Sequence, residues 1–308
     1  MLRFGPHDPS AARRALRDGL ARSGPPLRFP GAFSPLVAKA VEDAGFDGAY
    51  LSGGALAADL GMPDVGLTTL GEVSDRAQRI ATATSLPVIV DADTGFGEAL
   101  NAARTVQELE RAGVAGCHLE DQENPKRCGH LDRKRLVAPD AMERKIRAAA
   151  QARSDPDFVL IARTDARAVE GVGAAIERAR AYVAAGADMV FPEALRDEDE
   201  FRTFRAALDV PLLANMTEFG KSPLLDLATL ERLGYDLVIY PVTTLRLAMG
   251  AIERGLRALH DEGTQARLVP EMQTRARLYE LLRYREHEGF DQAVYDFVRG
   301  DDMRIGPE

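Results

Sequence analysis

The chain has 308 residues, 45% of them hydrophobic and 28% charged, with a net charge of −9; this suits one large core and argues against a nucleic-acid partner, because phosphates need a basic face. The opening MLRFGPHDPSAARRALRDGL has no apolar stretch of signal-peptide type, and no apolar run is long enough to span a membrane. Two cysteines, Cys117 and Cys128, make no disulfide framework, so a reducing cytoplasm is the expected compartment.

Residues 1–26 read as an N-terminal helical extension, with one helix from Ser10 to Arg22 stopped by Ser-Gly-Pro-Pro. Short apolar runs then alternate with amphipathic segments. The expected strands are LRFPGA (27–32), GAYLSG (48–53), PVIVDAD (87–93), GCHLED (116–121), FVLIARTD (158–165), DMVFPEA (188–194), PLLANMT (211–217) and LVIYPVT (237–243). The phrases EDAGFDGAYL, ERAGVAGCHL, VAAGADMVFP and ERLGYDLVIY repeat one unit of helix end, glycine, turn and strand. Eight strand–helix units imply parallel strands with helical crossovers, and that number favours a closed eight-stranded (β/α) TIM-type barrel over an open sheet. Residues 27–308 are therefore expected to form one barrel domain with a helical C-terminal tail.

These strands start apolar and end polar: VIV then DAD, CHL then ED, LIAR then TD, MVF then PE. In a barrel those ends share the face where active sites sit. Along the chain, YLSGG (50–54) comes first, where paired glycines leave backbone N–H groups free to meet an anion. In VDADTGFG, Asp91 and Asp93 point to the same side of a strand, an oxygen pair that suits Mg²⁺; the alternative is a helix cap and a salt bridge. HLED adds His118 and Glu120, again two apart, with Glu120 suited to the outer shell of a cation and His118 equally an ordinary hydrogen-bonded histidine. No HxxxH or CxxC spacing supports zinc.

KRCGH (126–130) lies in a loop of about eighteen residues between strand and helix, and long loops often act as lids. Lys126, Arg127 and His130 are expected to favour thiolate at Cys128, and Gly129 lets the backbone approach a ligand; the alternative is an incidental thiol. Arg163 in IARTDA is placed to grip a carboxylate or to pair with Asp165. Glu193, Asn215 and Thr217 hold equivalent ends of later strands, and Arg246 and Arg275 are further candidate anion binders. GFGEAL and GVGAAI lack the third glycine of a dinucleotide fingerprint.

Together KRCGH, YLSGG, VDADTGFG, HLEDQ, ARTDA, FPEA and MQTR resemble the isocitrate lyase/phosphoenolpyruvate mutase superfamily, from about Leu27 to Tyr284. KRCGH is the most specific piece; isocitrate lyases carry the similar KKCGH in longer chains, and the mutases, oxaloacetate decarboxylases and related hydrolases lack it. The resemblance implies a barrel whose last helix is exchanged between subunits of a homotetramer. It implies Mg²⁺-dependent cleavage, with Mn²⁺ as a possible substitute, of a small tricarboxylate. The implied reaction takes 2-methylisocitrate to pyruvate and succinate, in the methylcitrate cycle of propionate catabolism. Isocitrate or a dimethylmalate-type acid are alternative substrates, and a non-catalytic dicarboxylate-binding barrel is the alternative of a different class.

Carried onto this chain, the resemblance implies that Asp91 and Asp93 bind the metal, with Asp64 and Glu120 acting through water. It implies a carboxylate cradle at Ser52, Gly53 and Gly54, and a pocket lined by Arg163, Glu193, Asn215, Met216, Thr217, Arg246 and Arg275. Cys128 and Gly129 match a mobile catalytic loop, with His130 beside them. Cys128 would deliver a proton, with its protonation set by His118, His130 and Arg127, and Tyr50 is the candidate base.

Overall fold

The computed structural model describes residues 8–131 and 133–302. Contacts divide them into a compact unit spanning Asp8–Gly250 and a second unit from Ala251 onward. The first unit begins with α1 (Pro9–Ala21), β1 (Leu27–Pro30), α2 (Pro35–Asp43), β2 (Ala49–Leu51), α3 (Gly53–Asp59) and α4 (Leu70–Ala81). It continues with β3 (Val88–Asp91), α5 (Ala99–Arg111), β4 (Gly116–Glu120), α6 (Pro139–Ala152), β5 (Val159–Thr164), α7 (Arg167–Glu170) and α8 (Val172–Ala184). It ends with β6 (Met189–Pro192), α9 (Glu198–Ala207), β7 (Leu213–Asn215), α10 (Leu227–Arg232), β8 (Leu237–Tyr240) and the start of α11 (Thr243–Glu262). The second unit holds the rest of α11, a 3₁₀ turn (Ala266–Glu271), α12 (Arg275–Leu281) and α13 (Tyr284–Asp302).

Every strand pair is parallel. The strands form two sheets, ordered β1-β8-β7 and β2-β3-β4-β5-β6, not the single continuous ladder expected. Single parallel bridges, Gly31–Tyr50 and Val190–Leu212, cross the two seams. The seams fall at β2 and β7, the shortest strands, where few residues remain to extend a ladder.

The repeated phrases do what their glycines suggest. Gly45, Gly113, Gly186 and Gly234 all have positive φ, ending the preceding helix and turning the chain into the next strand. Alternation along the strands then sorts the side chains into layers. Leu27, Phe29, Tyr50, Ile89, Val159, Ile161, Met189, Phe191, Leu213, Leu237 and Ile239 pack together on one side. Leu51, Val90, Cys117, Leu119, Leu160 and Ala162 face the other way, against helix residues such as Ile80, Val106 and Ile146.

The N-terminal helix is part of this core. Leu16 of α1 is fully buried and belongs to the same cluster as the inward-facing strand residues. Arg13 and Arg17 fasten the helix beneath the strand starts: Arg13 donates to the Val114 carbonyl at 3.1 Å and to Asp155 at 2.8 Å, and Arg17 to the Phe158 carbonyl at 3.0 Å. Among the described residues no helix is long and apolar enough to cross a membrane.

Candidate active site

The strand register decides which polar side chains meet. Asp91 on β3 lies beside His118 on β4, and Glu120 on β4 lies beside Arg163 on β5. Glu193 follows β6 directly and Asn215 ends β7. A cavity of about 410 Å³ opens over these ends, lined by Tyr50, Ser52, Gly54, Asp64, Asp91, Lys126, Cys128, Gly129, His130, Arg163, Glu193, Asn215, Thr217 and Arg246. Apolar walls come from Phe191, Ile239, Pro241, Val242, Leu245 and Met249.

Four carboxylates crowd one side. A Cβ on Gly53 would lie 2.9 Å from Asp91 Oδ2 and 3.3 Å from Asp93 Oδ1, and one on Gly54 would lie 3.2 Å from Asp64 Oδ2. The glycines of YLSGG thus let a helix start against acids, and the Gly53 N–H donates to Asp91 at 3.2 Å. Asp93 has φ +46°, a left-handed conformation that aspartate tolerates better than most residues, and it turns the chain off β3. The Lys126 ammonium sits 2.5 Å from Asp64 and 2.8 Å from Asp93. Burial raises Asp93 to about 6, with Asp91 adding to the rise and Lys126 opposing it. Burial also lifts Glu120 well above the usual carboxylate range, against Arg163 and Lys126. Asp93 Oδ1 and both oxygens of Glu120 are buried with no well-aligned hydrogen bond, their nearest cations being Lys126 at 2.8 Å from Asp93 Oδ1 and Arg163 at 3.3 Å from Glu120 Oε2.

Four acids here share the charge of Lys126 and part of that of Arg163, so the cluster is short of positive charge, and its donor atoms are hard oxygens. Those are the donors a Mg²⁺-like ion takes, so the residues fit such an ion. They are not closed around one point: among the described residues no three acidic, histidine or cysteine side chains form a ready metal cage. The loop ammonium of Lys126 lies between two of the acids instead.

Beside the acids, the Tyr50 hydroxyl is 2.7 Å from His118 Nε2, and their rings stack with centroids 5.9 Å apart. Burial pushes Tyr50 well above its ordinary range and, more strongly than Asp91 opposes it, pushes His118 down to about 4. Burial thus favours the neutral imidazole, which shares this hydrogen bond through Nε2 and turns its Nδ1 toward Asp91 at 3.7 Å. Burial would raise Asp91, but His118, Lys126 and Arg163 outweigh it and hold it down at about 2.

Arg163 is ringed by carboxylates. Its guanidinium reaches Asp165 at 3.0 Å and both Glu120 and Glu193 at 3.3 Å, and lies 5.1 Å from the Phe191 ring centroid. Burial would raise Glu193, but Arg163 and His130 hold it down at about 2. Of its two expected roles, the geometry shows the pairing with Asp165, in a position where Arg163 also lines the cavity.

The KRCGH loop is docked, not exposed. Gly129 rests on the wall, where a Cβ would come within 2.4 Å of Arg163 Nη2 and 2.5 Å of Glu193 Cγ. His130 Nε2 lies 3.1 Å from Glu193, and its Nδ1 accepts the Lys221 N–H at 2.9 Å. Burial pushes the Cys128 thiol up, and the backbone hydrogen bond at His130 offsets this only in part. Burial thus works against the expected bias toward thiolate. Lys126 is spent on Asp64 and Asp93, Arg127 is exposed with its backbone tied to Gln122, and His118 serves Tyr50.

The family model described as phosphoenolpyruvate phosphomutase matches residues 16–260. A protein named "Probable 2-methylisocitrate lyase 1" from Corynebacterium glutamicum is 61% identical over 275 residues, covering 89% of this chain and 90% of the relative. The crystal structure of a 2,3-dimethylmalate lyase, described as a PEP mutase/isocitrate lyase superfamily member, matches with a TM-score of 0.86 at 36% identity, covering 92% of this chain and 95% of that one. A phosphonopyruvate hydrolase in complex with oxalate and Mg²⁺ matches with a TM-score of 0.81 at 31% identity, covering 92% and 98%. The chain belongs to the isocitrate lyase/phosphoenolpyruvate mutase superfamily.

Some residues expected from the superfamily pattern are not brought to the cavity. Met216 points the other way: alternation after β7 sends its side chain into the core with Leu212, Leu230 and Val238, where its sulfur lies 3.1 Å from the Leu225 N–H. Arg246 lines the cavity from its rim, half exposed, 3.6 Å from Glu218 and 5.0 Å from the Phe219 ring centroid. Arg275 belongs to the second unit, exposed at the first turn of α12. Sequence reasoning missed the roles of Lys126 and Lys134, both buried, because lysines in a basic run look like solvated charge. It also passed over Phe191 and Ile239, although strand alternation alone aims both inward.

Proposed function

We propose that this chain is a Mg²⁺-dependent carbon–carbon lyase that splits 2-methylisocitrate into pyruvate and succinate, a step of propionate catabolism. One observation carries the reading: a docked loop places Cys128 in the wall of a cavity that it shares with buried carboxylates, where burial favours its thiol form. The 61% identity to the Corynebacterium glutamicum relative supports this substrate over the dimethylmalate-type acid of the 36% identical structure.

Asp91 and Asp93 would hold the ion, with Asp64 and Glu120 around it, and Lys126 would give way or share those oxygens. Mg²⁺ supplies positive charge that lowers the pKa of the substrate hydroxyl and orients it. Ser52, Gly53, Gly54, Asn215 and Thr217 bind and orient the carboxylates, and Arg163 and Arg246 supply cationic donors. Tyr50 receives the hydroxyl proton while passing its own to His118 Nε2, and Asp91 favours the resulting imidazolium. Burial disfavours phenolate at Tyr50 and imidazolium at His118 alike, so this transfer depends on the positive charge that a bound Mg²⁺ would bring to the substrate hydroxyl. As the carbon–carbon bond breaks, its electrons pass to the succinate portion as an aci-carboxylate. Cys128 S–H then protonates that carbon, a step that needs thiol and not thiolate.

At the scale of the fold, the two bridged sheets support one closed eight-stranded barrel, residues 27–308 forming the barrel domain and its tail. Apolar residues exposed along α11 support a homotetramer with exchanged helices, in which Arg275 takes up its expected place at the substrate. Two free cysteines suit a reducing cytoplasm. The test is a coupled assay for pyruvate and glyoxylate from 2-methylisocitrate and isocitrate, with and without Mg²⁺. Pyruvate that requires the metal is expected; no product from either acid sinks the reading in favour of a binding barrel. Cys128→Ser should lower kcat by about 10²–10⁴-fold with Mg²⁺ binding intact, and full activity in it removes the thiol from the mechanism. Asp91→Ala should weaken Mg²⁺ dependence and substrate binding together; an unchanged metal titration contradicts the ligand assignment.

A further inference from the structure

Lys134 is an unusual lysine for a loop. It is buried, its side chain is 1% exposed, and its ammonium reaches two acceptors. It donates to the Gly129 carbonyl, the backbone of the segment that carries Cys128, and to Asp165 Oδ1 at 2.8 Å. Asp165 is in turn the partner of Arg163, taking its Nε at 3.0 Å on one oxygen and its Nη2 at 3.3 Å on the other. The Asp165 backbone N–H is fixed to Asp121 Oδ1 at 2.8 Å, so this carboxylate is a rigid post on the wall. Lysines are almost never fully buried unless paired, so the position asks for a function.

We propose that Lys134 is a positioning residue that fastens the Cys128 loop over the cavity, by tying the Gly129 carbonyl to Asp165 without itself touching substrate. The inference rests on the lyase reading for its kinetic part. Beyond Lys126 on Asp64 and Asp93, two ion pairs join the loop to the ends of β5 and β6. His130 pairs with Glu193 after β6, on the cavity side, and Lys134 pairs with Asp165 after β5, behind Arg163. The first tie lines the cavity and meets any bound acid; the second does not line it. Lys134 therefore sets the position of the thiol independently of what the cavity contains. It also shares Asp165 with the wall, since the same carboxylate takes Arg163 Nε at 3.0 Å. The turn that presents the thiol is short, with the Leu131 N–H donating to the Cys128 carbonyl at 2.9 Å, so a displacement of Gly129 is passed directly to the sulfur.

The test uses the full chain with Lys134→Met, and with Lys134→Met/Asp165→Asn, which removes both buried charges and guards against a variant that fails to fold. Three quantities are read: kcat and KM for 2-methylisocitrate, the rate of Cys128 alkylation by iodoacetamide in the resting enzyme, and Mg²⁺ binding by calorimetry. In both variants kcat should fall about 10²-fold with KM changing far less, as misplacement of a catalytic group by about 1 Å does. Alkylation of Cys128 should speed up by about tenfold as the open population grows. Mg²⁺ binding should stay within about twofold, because the metal acids lie on the other side of Arg163. Wild-type alkylation in the variants, or wild-type kcat, overturns the proposal. If the unmodified chain makes no pyruvate, the lyase reading fails on its own, and the alkylation contrast still decides whether Lys134 holds the loop.

Discussion

Gly129 is where side-chain size meets loop docking. An added methyl would have to occupy space within 2.4 Å of Arg163 Nη2 and 2.5 Å of Glu193 Cγ, and neither can retreat because both are buried and ion-paired. The loop must yield instead. Gly129→Ala is expected to lower kcat by about 10²-fold, the scale of an ångström-sized misplacement. The melting temperature should move by no more than about 2 °C, since the core is untouched. Steady-state kinetics beside a thermal melt checks this, and a large loss of stability with normal kcat per folded enzyme contradicts it. At this scale much of the site was readable in the sequence, because strand alternation and polar strand ends locate Asp91, Glu120, Arg163 and Asn215. The protonation of Cys128 was not readable. It depends on how deeply the loop docks, and on Lys126 being turned away toward Asp64 and Asp93, neither of which a local string reveals. Met216 erred for the opposite reason: its neighbours Asn215 and Thr217 face the cavity, so the alternation that argues for them argues against it.

α1 shows how an element can be recognised and its destination missed. Its span, Pro9–Ala21, lies within a residue of the expected Ser10 to Arg22, and Asp8 caps it by accepting the Ser10 and Ala11 N–H groups. Yet the helix is no appendage, for Leu16 completes the inward-facing strand cluster from below. Period and caps report that a helix exists; they carry no information on which surface its apolar stripe meets. Leu16→Ala removes a fully buried side chain at a site walled by strand residues that cannot collapse far. A loss of about 2–5 kcal/mol is expected, from transfer and cavity terms together. Urea denaturation followed by far-UV circular dichroism measures it. Pyruvate formation per folded molecule should be unchanged, because the cavity lies at the opposite strand ends. A shift below about 0.5 kcal/mol would mean that α1 is peripheral after all. The strand ends were overextended for a related reason. Asp93 and Ala194 adopt positive φ and leave the sheet, a tertiary demand that apolar periodicity does not encode.

The molecule as a whole leaves apolar surface unaccounted for within one chain. Along α11, Ile252, Leu256 and Leu259 recur at helical spacing and are 48%, 60% and 45% exposed. Val269, Met272 and Leu282 add exposed apolar side chains in the same unit. Burying a leucine-sized side chain is worth about 1.5–3 kcal/mol, so an apolar row of this kind along one helix rarely stays in water on an isolated chain. A neighbouring subunit of the proposed tetramer is the cover that suits it, since a symmetric assembly buries the same patch on every copy. Light scattering at micromolar concentration should give four times the chain mass of 33.5 kDa. Ile252→Glu with Leu256→Glu places two carboxylates in that buried face, where unpaired charge is strongly disfavoured, so the assembly should fall to smaller species. The change lies outside the Asp8–Gly250 unit, so far-UV circular dichroism should still report folded helices and strands. If Arg275 reaches the substrate only through assembly, pyruvate formation should fall in step with the loss of mass. A monomeric mass for the unmodified chain, or full assembly of the doubly charged variant, removes α11 as the joining surface.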